Sequence, residues 1–317
     1  MNFRAFVYLL ALAAPLSACG GDSGASTTPA PVVTSPPVVT PPPVATPPAS
    51  PDYTAFSVET PVAITGYADD AMEPFISKDG QYLLFNNSNA DSTKTDLFYA
   101  TRIDDQTFTT RGTIVGANSS ALDAVASMDT SGNLYFISTR SYDTSLSTVY
   151  SAQFSSGSVT PPKLVLGVSL LQFGMVNFDA EISGDGNTLW FDDGKFSGSA
   201  VPDTASIAVA DRQGAGFVRR ADSATMLAKV NAVGLNYAPS ISSDGLELFF
   251  TRIADPTNLA PLIYRASRTS VTAAFAEPQK VAAISGFVEA PSISSNGHIL
   301  YYHKRVNGKF GIYLVRR

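Results

Sequence analysis

Five copies of one short pattern constrain this 317-residue chain more than anything else in it. A polar turn of the Ser-x-Asp-Gly kind is followed each time by an apolar, aromatic-rich segment. The copies are EPFISKDGQYLLF from Glu73, VASMDTSGNLYF from Val125, DAEISGDGNTLWF from Asp179, APSISSDGLELFF from Ala238 and APSISSNGHILYY from Ala290. Their turn glycines, Gly80, Gly132, Gly186, Gly245 and Gly297, are spaced by 52, 54, 59 and 52 residues. A period of this length belongs to repeat architectures, in which each unit buries its apolar face only against its neighbours.

The fourth copy predicts the unit. A short strand from Ala238 to Ile241 enters a tight turn at Ser242 to Gly245, and a second strand follows at Glu247 to Thr251. Asp or Asn before Gly suits the left-handed geometry of a hairpin, and the Ser three residues before Gly can bond the turn backbone. A third-strand signal recurs as DLFYATR, STVYSAQF, ASIAVADR, LIYRASR and GIYLVRR, and a fourth around residues 108–115, 158–166, 217–228 and 275–284. After the fifth copy the sequence ends without a fourth strand. Residues 56–64 match residues 275–284 in character and in Phe-to-Val spacing, so the N-terminal strand is expected to complete the last repeat. That closes a ring and removes exposed sheet edges. The expected fold is all-β: a five-bladed β-propeller of four-stranded antiparallel blades over residues 52–317.

The first 51 residues read differently. Residues 1–18 carry one charge, Arg4, and an apolar run too short to span a bilayer, as in a secretory signal peptide. Leu16-Ser17-Ala18-Cys19 resembles the bacterial lipobox, and Cys19 is the one cysteine of the chain. The resemblance implies lipidation at Cys19, removal of the leader and anchoring in the cell envelope; Gly20 after it implies the outer membrane, facing periplasm or exterior. Residues 20–51 hold ten prolines and one charged residue, Asp22, a composition that buries no core and favours an extended tether reaching on the order of 100 Å. The net charge of −6 argues against nucleic acid as a partner.

The repeated turns followed by aromatic strands resemble the WD-like repeats of TolB-type periplasmic propellers. The resemblance covers most of residues 52–317 and implies the fold; propellers host enzymes, lectins and docking platforms alike. The TolB proteins carry six blades and a further domain, so a Tol-system role does not transfer.

Function is sought where the repeat breaks. Asp79, Asp185 and Asp244 occupy a turn slot that Ser131 and Asn296 fill elsewhere, so they read as turn residues. The third copy departs most. It has Glu181 where the others have Phe75, Ser127, Ser240 and Ser292, together with Asp179 and, at the end of its second strand, Asp192 and Asp193. Residues two apart share a sheet face, so Asp179 and Glu181 should lie with Asp192 or Asp193. Such a group suits a solvated acidic rim or, as the one cofactor candidate, a calcium ion held by Asp179, Glu181, Asp192 and Asp193. No other cofactor is expected: the two histidines, His298 and His303, read as surface or interblade residues, and no phosphate loop is present. The same copy has apolar loops, with Phe173, Met175, Phe178 and Phe196 as the candidate binding face for an envelope or extracellular protein. A non-enzymatic protein-binding scaffold is the expected function. The alternative is a carbohydrate-binding or glycoside-hydrolysing propeller, with Glu73, Asp179 and Glu181 as catalytic carboxylates and a glycan as ligand; Asp70, Asp123 and Glu289 are expected to ring the same face.

Overall fold

A computed structural model describes residues 55–255 and 257–317; the leader, Cys19 and the tether lie outside the described residues. Five small sheets follow one another along the sequence. The first blade is built from Met72–Ile76, Tyr82–Asn86, Leu97–Arg102 and Thr107–Thr113, and the second from Asp123–Met128, Asn133–Ser138 and Val149–Ser155 with a split outer edge at Ser158–Val159 and Lys163–Leu164. The third has Ala180–Ile182, Thr188–Lys195, Thr204–Gln213 and Gly216–Arg219, with Met175–Val176 added beside the second strand. The fourth has Leu235–Ile241, Glu247–Ile253, Leu262–Ser267 and a two-residue outer strand, Gln279–Lys280. The fifth combines Phe287–Ile293, Ile299–Val306 and Lys309–Arg316 with Thr60–Pro61 from the other end of the sequence. The fold is a five-bladed β-propeller.

The turns behave as their chemistry dictates. In the first, third and fourth blades the serine hydroxyl donates to the aspartate (Ser77 to Asp79, Ser183 to Asp185, Ser242 to Asp244, each 2.5 Å), and Ser294 donates to Asn296 at 2.7 Å. The second blade inverts the roles: Asp129 sits in the serine slot and its Oδ1 accepts from the backbone of Ser131 and Asn133 at 2.9 Å each. Each aspartate is consumed by its turn.

A polar turn and an apolar second strand leave each sheet with two apolar faces, and the core is accordingly divided into five slabs between adjacent blades. Leu84, Leu134 and Phe136 belong to the slab between the first two, Ile137, Phe191 and Phe217 to the next, Trp190, Phe250 and Phe275 to the third, Phe249, Val281 and Tyr302 to the fourth, and Phe85, Phe108 and Tyr301 to the slab that closes the ring. An arginine ends the third strand of blades three, four and five and locks each slab from the turn side. Arg212, Arg268 and Arg317 donate Nε–H to the turn carbonyls of Gly186, Gly245 and Gly297. Their guanidinium groups lie 4.8, 4.6 and 4.9 Å from the rings of Phe217, Phe275 and Phe56, a cation–π geometry.

Phe56 therefore does for the last blade what Phe275 does for the fourth, as the spacing of the two segments predicts. The strand itself departs from expectation. Instead of running unbroken to residue 64 along the fifth blade, it is held there by Ser57, whose N–H donates to Arg316 O, and by the Thr60–Pro61 ladder, then crosses the seam so that Ala63–Thr65 runs parallel to Thr107–Thr113 of the first blade. Val62 N–H still donates to Ile312 at 2.8 Å, whereas Ala63 N–H donates to Gln106 at 2.7 Å. Pro61 has no N–H to extend the ladder at that edge. One segment thus straps both blades of the closing seam.

Candidate functional site: the channel and its lid

The inner strands run from one face of the disc to the turns at the other, and the residues seven to five places before each turn glycine face the axis. Glu73, Phe75, Val125, Ser127, Asp179 and Glu181 are among those lining a central cavity of about 30 Å³, room for a water molecule or two. In four blades the first of these positions is a bulge with positive φ, between 50° and 52° at Glu73, Val125, Ala238 and Ala290. A bulge frees a backbone N–H from its own sheet. The second-strand residue opposite receives it from the neighbouring blade: Asn86 Oδ1 accepts from Val125 N–H at 3.1 Å, Thr251 Oγ1 from Ala290 at 3.0 Å and His303 Nδ1 from Glu73 at 3.1 Å.

The second blade has Ile137 at this position, opposite Ala124, and isoleucine cannot accept a hydrogen bond. The N–H of Asp179 in the third blade turns instead to its own sheet, where Asp192 Oδ1 accepts it at 3.1 Å together with that of Phe178 at 2.9 Å. The sheet register thereby selects Asp192, and not Asp193, as the neighbour of Asp179. The other oxygen of Asp192, Oδ2, is buried and has no hydrogen-bond partner among the described residues.

A second tier lies nearer the turns. Ser127, Ser240 and Ser292 accept the N–H of Ile182, Ile293 and Ile76 from the next blade, at 3.2, 3.0 and 3.1 Å. Glu181 performs the same task with a longer side chain. Its Oε1 accepts from Ile241 N–H at 3.3 Å and from Lys78 Nζ at 3.0 Å, an ion pair across the channel with both side chains almost fully buried. Below it, Thr130 donates to Gly184, Ser243 to Ser295 and Ser295 to Lys78, linking turn to turn around the channel floor.

At the opposite end of the channel the titratable groups meet. Tyr237 donates to Glu289, and His303 Nε2 lies 3.2 Å from Glu289 Oε2 while its Nδ1 lies 4.0 Å from Glu73 Oε2. Burial is the main cause that raises Glu73 to about 7, with His303 lowering it and Glu289 raising it further. Burial likewise lifts Asp192 to about 8 against the hydrogen bonds it accepts, and lifts Asp179 well above the carboxylate range with Asp192 adding repulsion. For His303 burial opposes the charge, but Glu73 and Glu289 outweigh it and the pKa moves up. His303 Nδ1 also faces the Glu73 N–H at 3.1 Å, so both ring nitrogens are engaged within the cluster.

The cluster is closed over. Glu73 and Asp179 are each 4% exposed and Glu289 is 1% exposed. Phe178 covers it, its ring 5.8 Å from Phe196 and 5.6 Å from Tyr237. Of the residues expected on a binding face, Phe173 stands in solvent, Met175 and Phe178 are half-buried and Phe196 is buried in the lid. Leu166, Leu170, Leu171 and Phe173, at 68, 48, 63 and 60% exposure, form the outward-facing apolar group instead.

The four residues considered for calcium disperse. Asp193 is taken by Arg219 and Asn177 on the other face of the strand, Glu181 by Lys78, and only Asp179 and Asp192 stay together. Among the described residues no group of three or more His, Cys, Asp or Glu has a metal-holding arrangement. Asp70 accepts from Phe310 N–H and Asp123 pairs with Arg140, so neither joins the channel. Tyr237, His303 and Ile137 are the site residues that motif reading passes over; their signal is position, the inner-strand residue before the bulge and the second-strand residue opposite it.

No family model matches the chain, and no curated protein matches it in sequence. Solved structures match it in fold. A glycoside hydrolase aligns with a TM-score of 0.56 at 10% identity, over 84% of this protein and 91% of that one. A thermostable family-43 glycoside hydrolase aligns at 0.50 and 12%, over 82% and 91%. TolB from Acinetobacter baumannii aligns at 0.43 and 15%, over 78% of this protein and 55% of that one. At these identities the likeness is one of fold.

Proposed function

We propose that this propeller is a non-enzymatic docking platform, held at the bacterial cell envelope through lipidated Cys19 and presenting its lid-side face to another envelope or extracellular protein. The observation that carries this reading is the group Leu166, Leu170, Leu171 and Phe173, four large apolar side chains each about half exposed or more between the second and third blades. Large apolar side chains left exposed along one short segment mark interaction surfaces. The channel supports the same reading: a glycosidase needs a sugar between two carboxyl groups, and here the carboxyl groups lie under Phe178 around a cavity of about 30 Å³.

A second reading has its own support. Glu73, raised to about 7, is poised as a general acid would be, and solved glycoside hydrolases share the fold. The two readings separate on one pair of variants. With a photo-crosslinking residue at position 173 of the full chain in cells, a defined adduct should form and be lost in Leu170→Ser/Leu171→Ser. Glu73→Gln should leave it unchanged. Release of sugar from a polysaccharide by the purified protein, abolished by Glu73→Gln, would overturn the docking reading.

A further inference from the structure

Arg268 breaks the pattern of its own repeat. Arg317, its counterpart in the fifth blade, delivers its guanidinium to Glu247 of the fourth blade, with Nη1 2.9 Å from Oε1 and Nη2 against Oε2. Arg212, the counterpart in the third, reaches the hydroxyl of Tyr135. Arg268 donates Nε–H to Gly245 O at 2.7 Å, and beyond that one terminal nitrogen meets only the sulfur of Met226 at 2.9 Å. It is 5% exposed and makes no ion pair with a carboxylate among the described residues. The cause is legible in the repeat. Two places after the turn glycine, where the fourth blade has Glu247, the third blade has Thr188.

A buried guanidinium without a counter-ion is costly. Burial, with Arg220 nearby, pulls its pKa down to about 10 against the longer-range attraction of Asp222 and Asp244, neither of which forms an ion pair with it among the described residues. Arg220 itself is held by Asp222 at 2.8 Å. Beside Arg268 opens a pocket of about 400 Å³ between the third and fourth blades, on the turn face and far from the channel cluster. Lys229, Thr225, Ser267, Thr269 and Phe275 line it with Arg268, and no carboxylate does so among the described residues. On a chain of net charge −6 this is a pocket with two cations and three hydroxyl-bearing residues. Its volume suits a ligand of one or two sugar rings.

We infer that this pocket binds a small oxyanion, the carboxylate of a sugar acid or a phosphate, with Arg268 as the charge anchor and Lys229 as the second donor. The ligand supplies the negative charge that Glu247 supplies to Arg317. The site stands apart from the docking face and does not depend on it.

Trp190 provides the readout. It is the one tryptophan of the chain, and the Arg268 guanidinium lies 5.7 Å from its ring. The full-length protein in detergent would be titrated with D-galacturonate, inorganic phosphate and neutral D-galactose while its fluorescence is followed. A saturable change with galacturonate or phosphate, and none with galactose, is expected. A tighter response to galacturonate assigns a sugar acid, and an equal or tighter response to phosphate assigns a phosphate. Lys229 is exposed, so Lys229→Ala should fold and weaken binding about tenfold. Thr188→Glu, which restores an internal counter-ion, should abolish the response while leaving the melting temperature equal or higher. An equal response to galactose, no response to either anion, or wild-type affinity in both variants would overturn the inference.

Discussion

Ile137 is the residue that makes the third blade different. By offering no acceptor to the next blade it sends the Asp179 N–H to Asp192 and concentrates carboxyl groups on one side of the channel. The consequence is a pH dependence whose sign follows from the raised pKa values. Glu73 (4.5 to about 7) and Asp192 (3.8 to about 8) bind protons more tightly in the native state than in the unfolded one. Their contribution is therefore fully favourable below about pH 4 and is lost progressively as pH rises through 8. Melting temperature should fall between pH 5 and pH 8, by an amount reflecting several kcal/mol, and Asp192→Asn should flatten the slope. A stability that stays level over that interval would show that the cluster ionises without cost. The acids were legible in sequence as departures from the repeat; their pairing was not, because it depends on which neighbour supplies an acceptor.

At the scale of the element, the segment linking the second and third blades carries both the exposed apolar side chains and the lid. Its anchor is a seam contact in which Phe217 N–H donates to Leu166 O at 2.9 Å. Gly167 follows with φ of +83°, and a Cβ there would stand 1.8 Å from Phe217 O, a backbone atom that cannot swing aside. Gly167→Ala should cost about 3 kcal/mol or more, seen as a lower denaturant midpoint, and should loosen the docking face with it. A midpoint equal to that of the parent would mean the two blades part there without strain. Apolar composition marked this segment, and the loop after Lys195 that carries Phe196, in the sequence. It did not separate Phe173, which faces solvent, from Phe196, which is buried beneath Gly174 by the bond from its N–H to Gly174 O.

Closure is a property of the whole molecule. A variant starting at residue 66 would bare the outer edges of the fifth and first blades, remove the ring on which Arg317 stacks and leave Lys304 without Glu59. It should lose cooperative unfolding in calorimetry and associate through the exposed edges; a single transition at the parental temperature would show that the strap is dispensable. The number of blades, the turns and the donor of the closing strand follow from the sequence alone, because hairpin chemistry and period-two burial are local and repeat five times. The tertiary structure alone decided that the strap divides between two blades, that Glu181 does the work of a serine, that Asp192 joins Asp179 and that Arg268 meets no carboxylate. Each of these outcomes depends on a residue in another blade, roughly forty or more positions away in the sequence, and so leaves no signature in the residue's own segment.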